Sequence, residues 1–197
     1  MSSVSDTLRS RAKADRRQAM LDAAAHLFAE RGFARVSLED LGAAVGVSGP
    51  AVYRHFAGKQ AVLGALLVEV SEGLASGGRS VVDAAGSDED ALAALIAFHV
   101  DFALANSDVI RVQDRDLDSL TDTDRHDVRA LQRAYVELWV DVLSRLTPSA
   151  ERAVLRTRAH ATFGLINSTP HSGSTRGSSQ AQTRAILERM AAAALRA

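Results

Sequence analysis

Ser37-Leu38-Glu39-Asp40-Leu41-Gly42-Ala43-Ala44-Val45, then Gly46-Val47, then Ser48-Gly49-Pro50-Ala51-Val52-Tyr53-Arg54-His55-Phe56 reads as a helix, a tight turn and a short second helix. Ser37 and Asp40 stand at capping-box spacing, which starts the first helix. Gly46 supplies the positive φ that a tight turn needs. Ala43, Ala44 and Val47 are small enough for the two helices to cross closely. Ser48 caps the second helix, and Pro50 is tolerated in its first turn. Together they form a helix-turn-helix unit.

This geometry suits duplex DNA. Val52 and Phe56 lie four apart and face the first helix, which leaves Tyr53, Arg54 and His55 pointing away. A short helix fits the major groove, where its outer side chains reach base edges. The small residues Ser48, Gly49 and Pro50 let the backbone approach phosphate. A basic run at Arg9, Arg11, Lys13, Arg16 and Arg17, opposed only by Asp15, can follow the phosphate backbone.

Outward from this unit, helix is the dominant signal. The chain of 197 residues has 36 alanines and three prolines, and no proline falls between Ala51 and Thr147. Alanine favours helix and proline breaks it. No segment alternates with period two, so the expected class is all-α, with about nine helices. The first is predicted from about Asp15 to Arg31. The fourth starts near Lys59, and the fifth starts at a Ser87/Asp90 capping box and runs to about Asn106. The seventh is expected over about Thr123–Leu146. Pro148 is expected to open the eighth helix, which ends near Asn167. The stretch 167–178 reads as a loop, and Ser179 with Gln182 caps the last helix.

Charge divides the chain. Residues 1–60 hold nine Lys/Arg against six Asp/Glu, and residues 61–197 hold fourteen against eighteen. A basic N-terminal arm and DNA-binding domain is therefore expected over 1–60, and a ligand-binding and dimerisation domain over 61–197. The absence of cysteine excludes disulfides, thiolate metal sites and cysteine nucleophiles. No secretory leader or bilayer-length apolar run is read from the sequence, so the expected location is the cytoplasm, with no membrane partner.

Ala25-His26-Leu27-Phe28-Ala29-Glu30-Arg31-Gly32-Phe33, Ser37 to Gly42, Gly46-Val47-Ser48, Val52 to Phe56 and Lys59 together resemble the TetR family of bacterial transcriptional regulators. The resemblance covers about residues 16–66 and is specific in order and spacing; beyond it only the architecture is similar. It implies a homodimer on a palindromic operator, with three N-terminal helices on DNA and a helical effector domain behind them. It implies that Ser37 caps the second helix and touches phosphate, and that Ser48, Gly49 and Pro50 lie near base edges. Tyr53, His55 and Lys59 would hold phosphate, with Arg54 at a variable position. Pro50 departs from the small β-branched or hydroxyl residue usual there. The eighth and ninth helices would form the dimer interface. An effector among the fifth, seventh and eighth would act on DNA through the fourth.

Candidate effector residues are Phe98, His99, Phe102, Arg111, Gln113, Tyr135, Trp139, His160 and Phe163. Aromatic walls with a few polar groups are typical of such pockets. The expected ligand is apolar or acyl-chain, with Arg111, Arg115 and Arg158 as candidates for an anionic headgroup. Asp114, Asp116 and Asp118 imitate a calcium loop, but its sixth and twelfth positions hold Ser119 and Arg125. No metal, cofactor or catalytic residues are expected. The alternative reading is an all-helical ligand carrier or small enzyme that does not bind DNA.

Overall fold

The computed structural model describes residues 2–168 and 179–197. These form nine α-helices and two short 3-10 turns, with no strand among the described residues. The helices are α1 (Ser2–Arg31), α2 (Leu38–Ala44), α3 (Gly49–Tyr53), α4 (Lys59–Asp83), α5 (Asp88–Ala105), α6 (Ser107–Asp116), α7 (Asp122–Leu146), α8 (Arg152–Asn167) and α9 (Gln180–Arg196).

Local chemistry sets most of these boundaries. The Ser37–Asp40 capping box is complete: the serine hydroxyl accepts from the Asp40 amide, and the Asp40 carboxylate accepts from the Ser37 amide. Thr121 and Ser179 cap α7 and α9 in the simpler one-way fashion, each accepting from the amide three residues on. Gly46 takes φ 70°, as the turn requires. At Gly42 a Cβ would sit 2.7 Å from the Val47 carbonyl oxygen, so only glycine lets α2 close against the turn.

Two boundaries differ from the sequence reading. α1 begins at Ser2 rather than near Asp15, so the basic run is helical. Apolar periodicity starts late in this segment, but no Gly or Pro interrupts it and propensity extends the helix toward the N-terminus. Pro148 does not open α8. It lies in the turn after α7, and α8 starts at Arg152. The predicted loop at 167–178 lies mostly outside the described residues; Asn167 itself closes α8.

The buried side chains form two cores. The first joins α1, α2 and α3 to the N-terminal half of α4, and includes Met20, Phe28, Leu41, Val52 and Leu63. It also takes Val109 and Val112 from α6 and Val128 from α7. The second lies among α5, α7, α8 and α9, around Leu95, Trp139, Leu155 and Leu195. Both α4 and α6 contribute to each core, so they join the two halves. By length and composition α4 could cross a bilayer, but its apolar side faces these cores. Near its C-terminal end, Gly77 and Gly78 form a notch. A Cβ on Gly77 would meet the Phe98 ring at 2.5 Å, and one on Gly78 the Tyr135 ring at 2.5 Å.

Candidate nucleic-acid interface and effector cavity

α3 presents its residues as an amphipathic turn must. Val52 and Phe56 are buried, Arg54 is exposed, and Tyr53 is 57% exposed despite its size. Ser48 and Pro50 are also exposed. The Ser48 hydroxyl makes no capping bond; Pro50 carries no N–H and the Ala51 amide donates to the Ser48 carbonyl at 2.8 Å, so the Gly49 amide is the one left over in this turn. Gly49 is half-buried against the Glu39 side chain.

Ser37, Tyr53 and Lys59 line one open cleft of about 420 Å³ where the starts of α2 and α4 meet. Gly58 precedes α4 and offers no side-chain cap, so the first-turn amides of α4 are free for an anion. Arg35 adds positive charge to this cleft and Glu39 adds negative charge. Lys59 is less free than its sequence position suggests. Its Nζ donates to the Phe33 and Ala34 carbonyls at 2.8 and 3.1 Å and lies 4.6 Å from the Phe33 ring centre. The Ser37 hydroxyl is likewise engaged with Asp40. Its backbone amide joins its hydroxyl in holding the Asp40 carboxyl below the usual carboxylate range.

His55 lies beside α1. Burial of its ring, then the charges of Lys13, Arg16, Arg54 and Arg17, hold it below the ordinary imidazole value. The basic stretch of α1 therefore shares a face with the end of α3. Arg17 lies over the Phe56 ring at 5.3 Å and pairs with Glu69 of α4. The helical continuation of the basic run was not legible, but its charge was.

A second site lies at the second core. A cavity of about 210 Å³ is walled by α4, α5, α6, α7 and α8. Six of the nine predicted effector residues meet there: His99, Phe102, Gln113, Tyr135, His160 and Phe163. Trp139 stands behind the wall, edge-on to Phe163 at 5.0 Å and to His99 at 6.1 Å. Phe98 points to the Gly77 notch, and Arg111 is exposed and paired with Asp108. Sequence reading missed Ser71, Leu74, Val109, Ile110, Leu131, Gln132, Val136 and Asn167. Of these, Val109 and Ile110 lie on the short helix α6, whose apolar side is divided between the two cores, Val109 and Val112 in the first and Ile110 in the second.

The cavity is polar at one end. His99 Nδ1 lies 3.4 Å from the Tyr135 hydroxyl. Burial pulls His99 down to about 4, opposed by the Asn167 side chain, so it is neutral at pH 7. Burial also raises the Tyr135 phenol. His99 Nε2 and Asn167 Oδ1 are buried and have no hydrogen-bond partner among the described residues.

α6 ties this cavity to α1. Val109, Ile110 and Gln113 line the cavity. On the same helix the Arg115 guanidinium donates to the Phe28 and Ala29 carbonyls at the end of α1, and its charge is paired with Asp116. Asp108 accepts from His26 of α1 at 3.1 Å. Arg115 is thus committed to α1 rather than to a headgroup.

The model of the tetR family of bacterial regulatory proteins matches residues 20–66, and that of the tetracyclin repressor-like C-terminal domain matches residues 85–196. The HTH-type transcriptional repressor KstR2 of Rhodococcus jostii (strain RHA1) is 30% identical over 133 residues, 66% of this chain and 65% of that repressor. The match therefore spans slightly under two thirds of the relative's length. A TetR-family transcriptional regulator from Bordetella parapertussis 12822 superposes with a TM-score of 0.78 at 24% identity, over 89% of this chain and 93% of that one. The ketosteroid transcriptional regulator KstR2 of Mycobacterium tuberculosis gives 0.76 at 19% identity, over 91% and 93%. With an exposed recognition turn at one end and a walled cavity at the other, and with both family models matched, the chain belongs to the TetR family of bacterial transcriptional regulators.

Proposed function

We propose that this chain is a ligand-responsive, sequence-specific DNA-binding regulator, a repressor that a small molecule releases from a palindromic operator. It acts in the cytoplasm and has no catalytic role. The observation that carries this reading is the shared cleft of Ser37, Tyr53 and Lys59 beside an exposed α3. Residues 1–60 serve DNA, with Ser48, Gly49, Pro50 and Arg54 toward base edges and Tyr53, His55 and Lys59 toward phosphate. Residues 61–197 serve the effector and the dimer.

The dimer face is α8 with α9. Val154, Ile186 and Met190 are large apolar side chains left exposed there, and with Ala153, Ala161 and Ala185 they form a surface suited to a second copy. A two-fold axis would set the two α3 helices one turn of DNA apart, about 34–36 Å. The cavity takes an apolar or acyl-chain effector. Its filling moves α6, and α6 moves α1 through Arg115 and Asp108, while α4 carries the same displacement to Lys59. A coupling of only ~1–3 kcal/mol changes operator occupancy several-fold or more.

The test is fluorescence anisotropy with duplexes drawn from DNA around the protein's own gene, at two salt concentrations. A salt-sensitive complex with a preferred sequence is expected. Tyr53→Ala should weaken it about five- to a hundredfold and leave the melting temperature within a degree or two, because the ring is exposed. Binding that ignores sequence, or an unaffected Tyr53→Ala complex, would overturn the assignment.

A further inference from the structure

The cavity walls name the chemistry of what fills them, an inference that rests on the regulator reading above. Its volume is about 210 Å³. A void of about 150 Å³ accepts a benzene ring, whereas drug-sized ligands occupy roughly 300–1,000 Å³. This space, which is partly open to the surface, therefore takes a little more than one ring, or a chain of similar bulk. Anything larger must continue outside.

The inner end asks for both a donor and an acceptor. With the Tyr135 hydroxyl donating to His99 Nδ1, the imidazole proton sits on Nε2, which is buried near the Asn167 side chain but makes no hydrogen bond of standard geometry among the described residues. Asn167 Oδ1 is an unpartnered acceptor in the same wall. A hydroxyl satisfies both atoms at once, accepting from His99 and donating to Asn167. A carbonyl would satisfy only His99.

The outer end asks for an anion. Gln132, Val136 and His160 are walls common to the cavity and to a surface hollow of about 410 Å³. That hollow also holds Arg129, Arg133, Arg156 and Glu137. Glu137 is engaged by Arg156 at 2.6 Å and by Arg152 at 2.8 Å. Arg129 and Arg133 lie one turn apart on α7, both exposed, and make no ion pair among the described residues. The adjoining hollow, which Arg129 also lines together with Arg115, contains Asp114 and Asp118, which disfavour an anion on that side.

We propose that the effector is an amphipathic hydroxylated monoanion: its apolar body fills the cavity, its hydroxyl bridges His99 Nε2 and Asn167 Oδ1, and its anionic group rests outside on Arg129 and Arg133. Recognition at both ends distinguishes it from a plain fatty acid and from a neutral alcohol.

Trp139 is the single tryptophan of the chain and packs against the cavity wall, so its emission reports filling. The full chain, without DNA, is titrated with 10-hydroxydecanoate, decanoate and 1,10-decanediol. The hydroxy acid should bind tightest. Losing the hydroxyl should weaken binding about tenfold, since two buried polar atoms go unpaired again. Losing the carboxylate should weaken it about fivefold, and added salt should shrink that difference. The exposed double variant Arg129→Gln/Arg133→Gln should bind the hydroxy acid and the diol alike and still prefer both to decanoate. Equal binding of 10-hydroxydecanoate and decanoate would mean that water completes the inner corner, and would overturn the proposal. So would an indifferent arginine variant, or unchanged Trp139 emission with all three compounds. Since DNA is absent, such a failure leaves operator binding intact, whereas failure of the anisotropy experiment removes the reading beneath.

Discussion

The two cores of this molecule are completed differently. The N-terminal core is built of aliphatic side chains with Phe28 and Phe56, and its one unpartnered buried polar atom among the described residues, His55 Nδ1, lies at the end of α3. The second core holds the other four such atoms among the described residues, on His99, Trp139, Thr162 and Asn167. Three of these, on His99, Trp139 and Asn167, cluster with Tyr135 and Phe163 at the cavity or directly behind it, where Asn167 lies near His99 and Trp139 near Tyr135 without hydrogen bonds of standard geometry. Buried polar groups are normally paired, and leaving one unpaired costs about 1–3 kcal/mol. The contrast teaches that the first core closes almost entirely with apolar side chains, whereas the second gathers its polar atoms around the cavity.

Acid is the harshest way to break this comparison. His99 is neutral in the folded chain with a value near 4, against about 6.5 when unfolded. The unfolded chain therefore binds the proton first. Stability is complete above about pH 6.5 and falls toward pH 4, by up to about 1.4 kcal/mol per pH unit and about 3 kcal/mol in all. Denaturant melts from pH 7 to pH 4 should show this loss, and His99→Phe should flatten it. An equally steep profile in His99→Phe would place the acid sensitivity elsewhere.

The first core is sharpened by overfilling it. Gly42→Leu forces side-chain atoms against the Val47 carbonyl, which is backbone and cannot swing away. A loss of about 2–3 kcal/mol is expected, or about 5–10 °C in Tm, together with lost DNA binding. Calorimetry checks it, and a wild-type Tm would show that α2 and the turn are not tightly closed.

The link between the cores should yield the smallest effect on stability and a clear one on communication. Arg115→Gln removes donors from the last carbonyls of α1. It should cost about 1–2 kcal/mol by melting. Operator affinity without effector should change little, but effector should release DNA less completely. Full release in the variant would move the coupling to α4.

Legibility in the sequence follows the same divide. The helix-turn-helix unit was readable because its determinants are local: a cap three residues from its partner, a glycine at the turn, two apolar residues four apart. The aromatic wall of the cavity was readable in part, since His99, Tyr135 and Phe163 recur on the inner faces of long helices. Ser71, Val109 and Asn167 were not, because they meet only when α4, α6 and α8 cross, and no spacing within one helix encodes a crossing. Phe98 lies outside the cavity for the same reason, since its partner Gly77 is set by packing direction, whereas the Asp108 that holds Arg111 is only three residues away on the same helix. Lys59 was found, but the Phe33 and Ala34 carbonyls that it holds lie 25 residues or more away.

The dent at Gly77-Gly78 makes α4 a lever with a detent. Tyr135 rests in it and also forms part of the cavity lining, so a guest that rotates that ring lifts the peg from its seat. Lys59, at the far tip, lies about 28 Å along the shaft from Gly78. A tilt of about 5° at the dent then sweeps the tip through about 2.5 Å, roughly the length of a hydrogen bond.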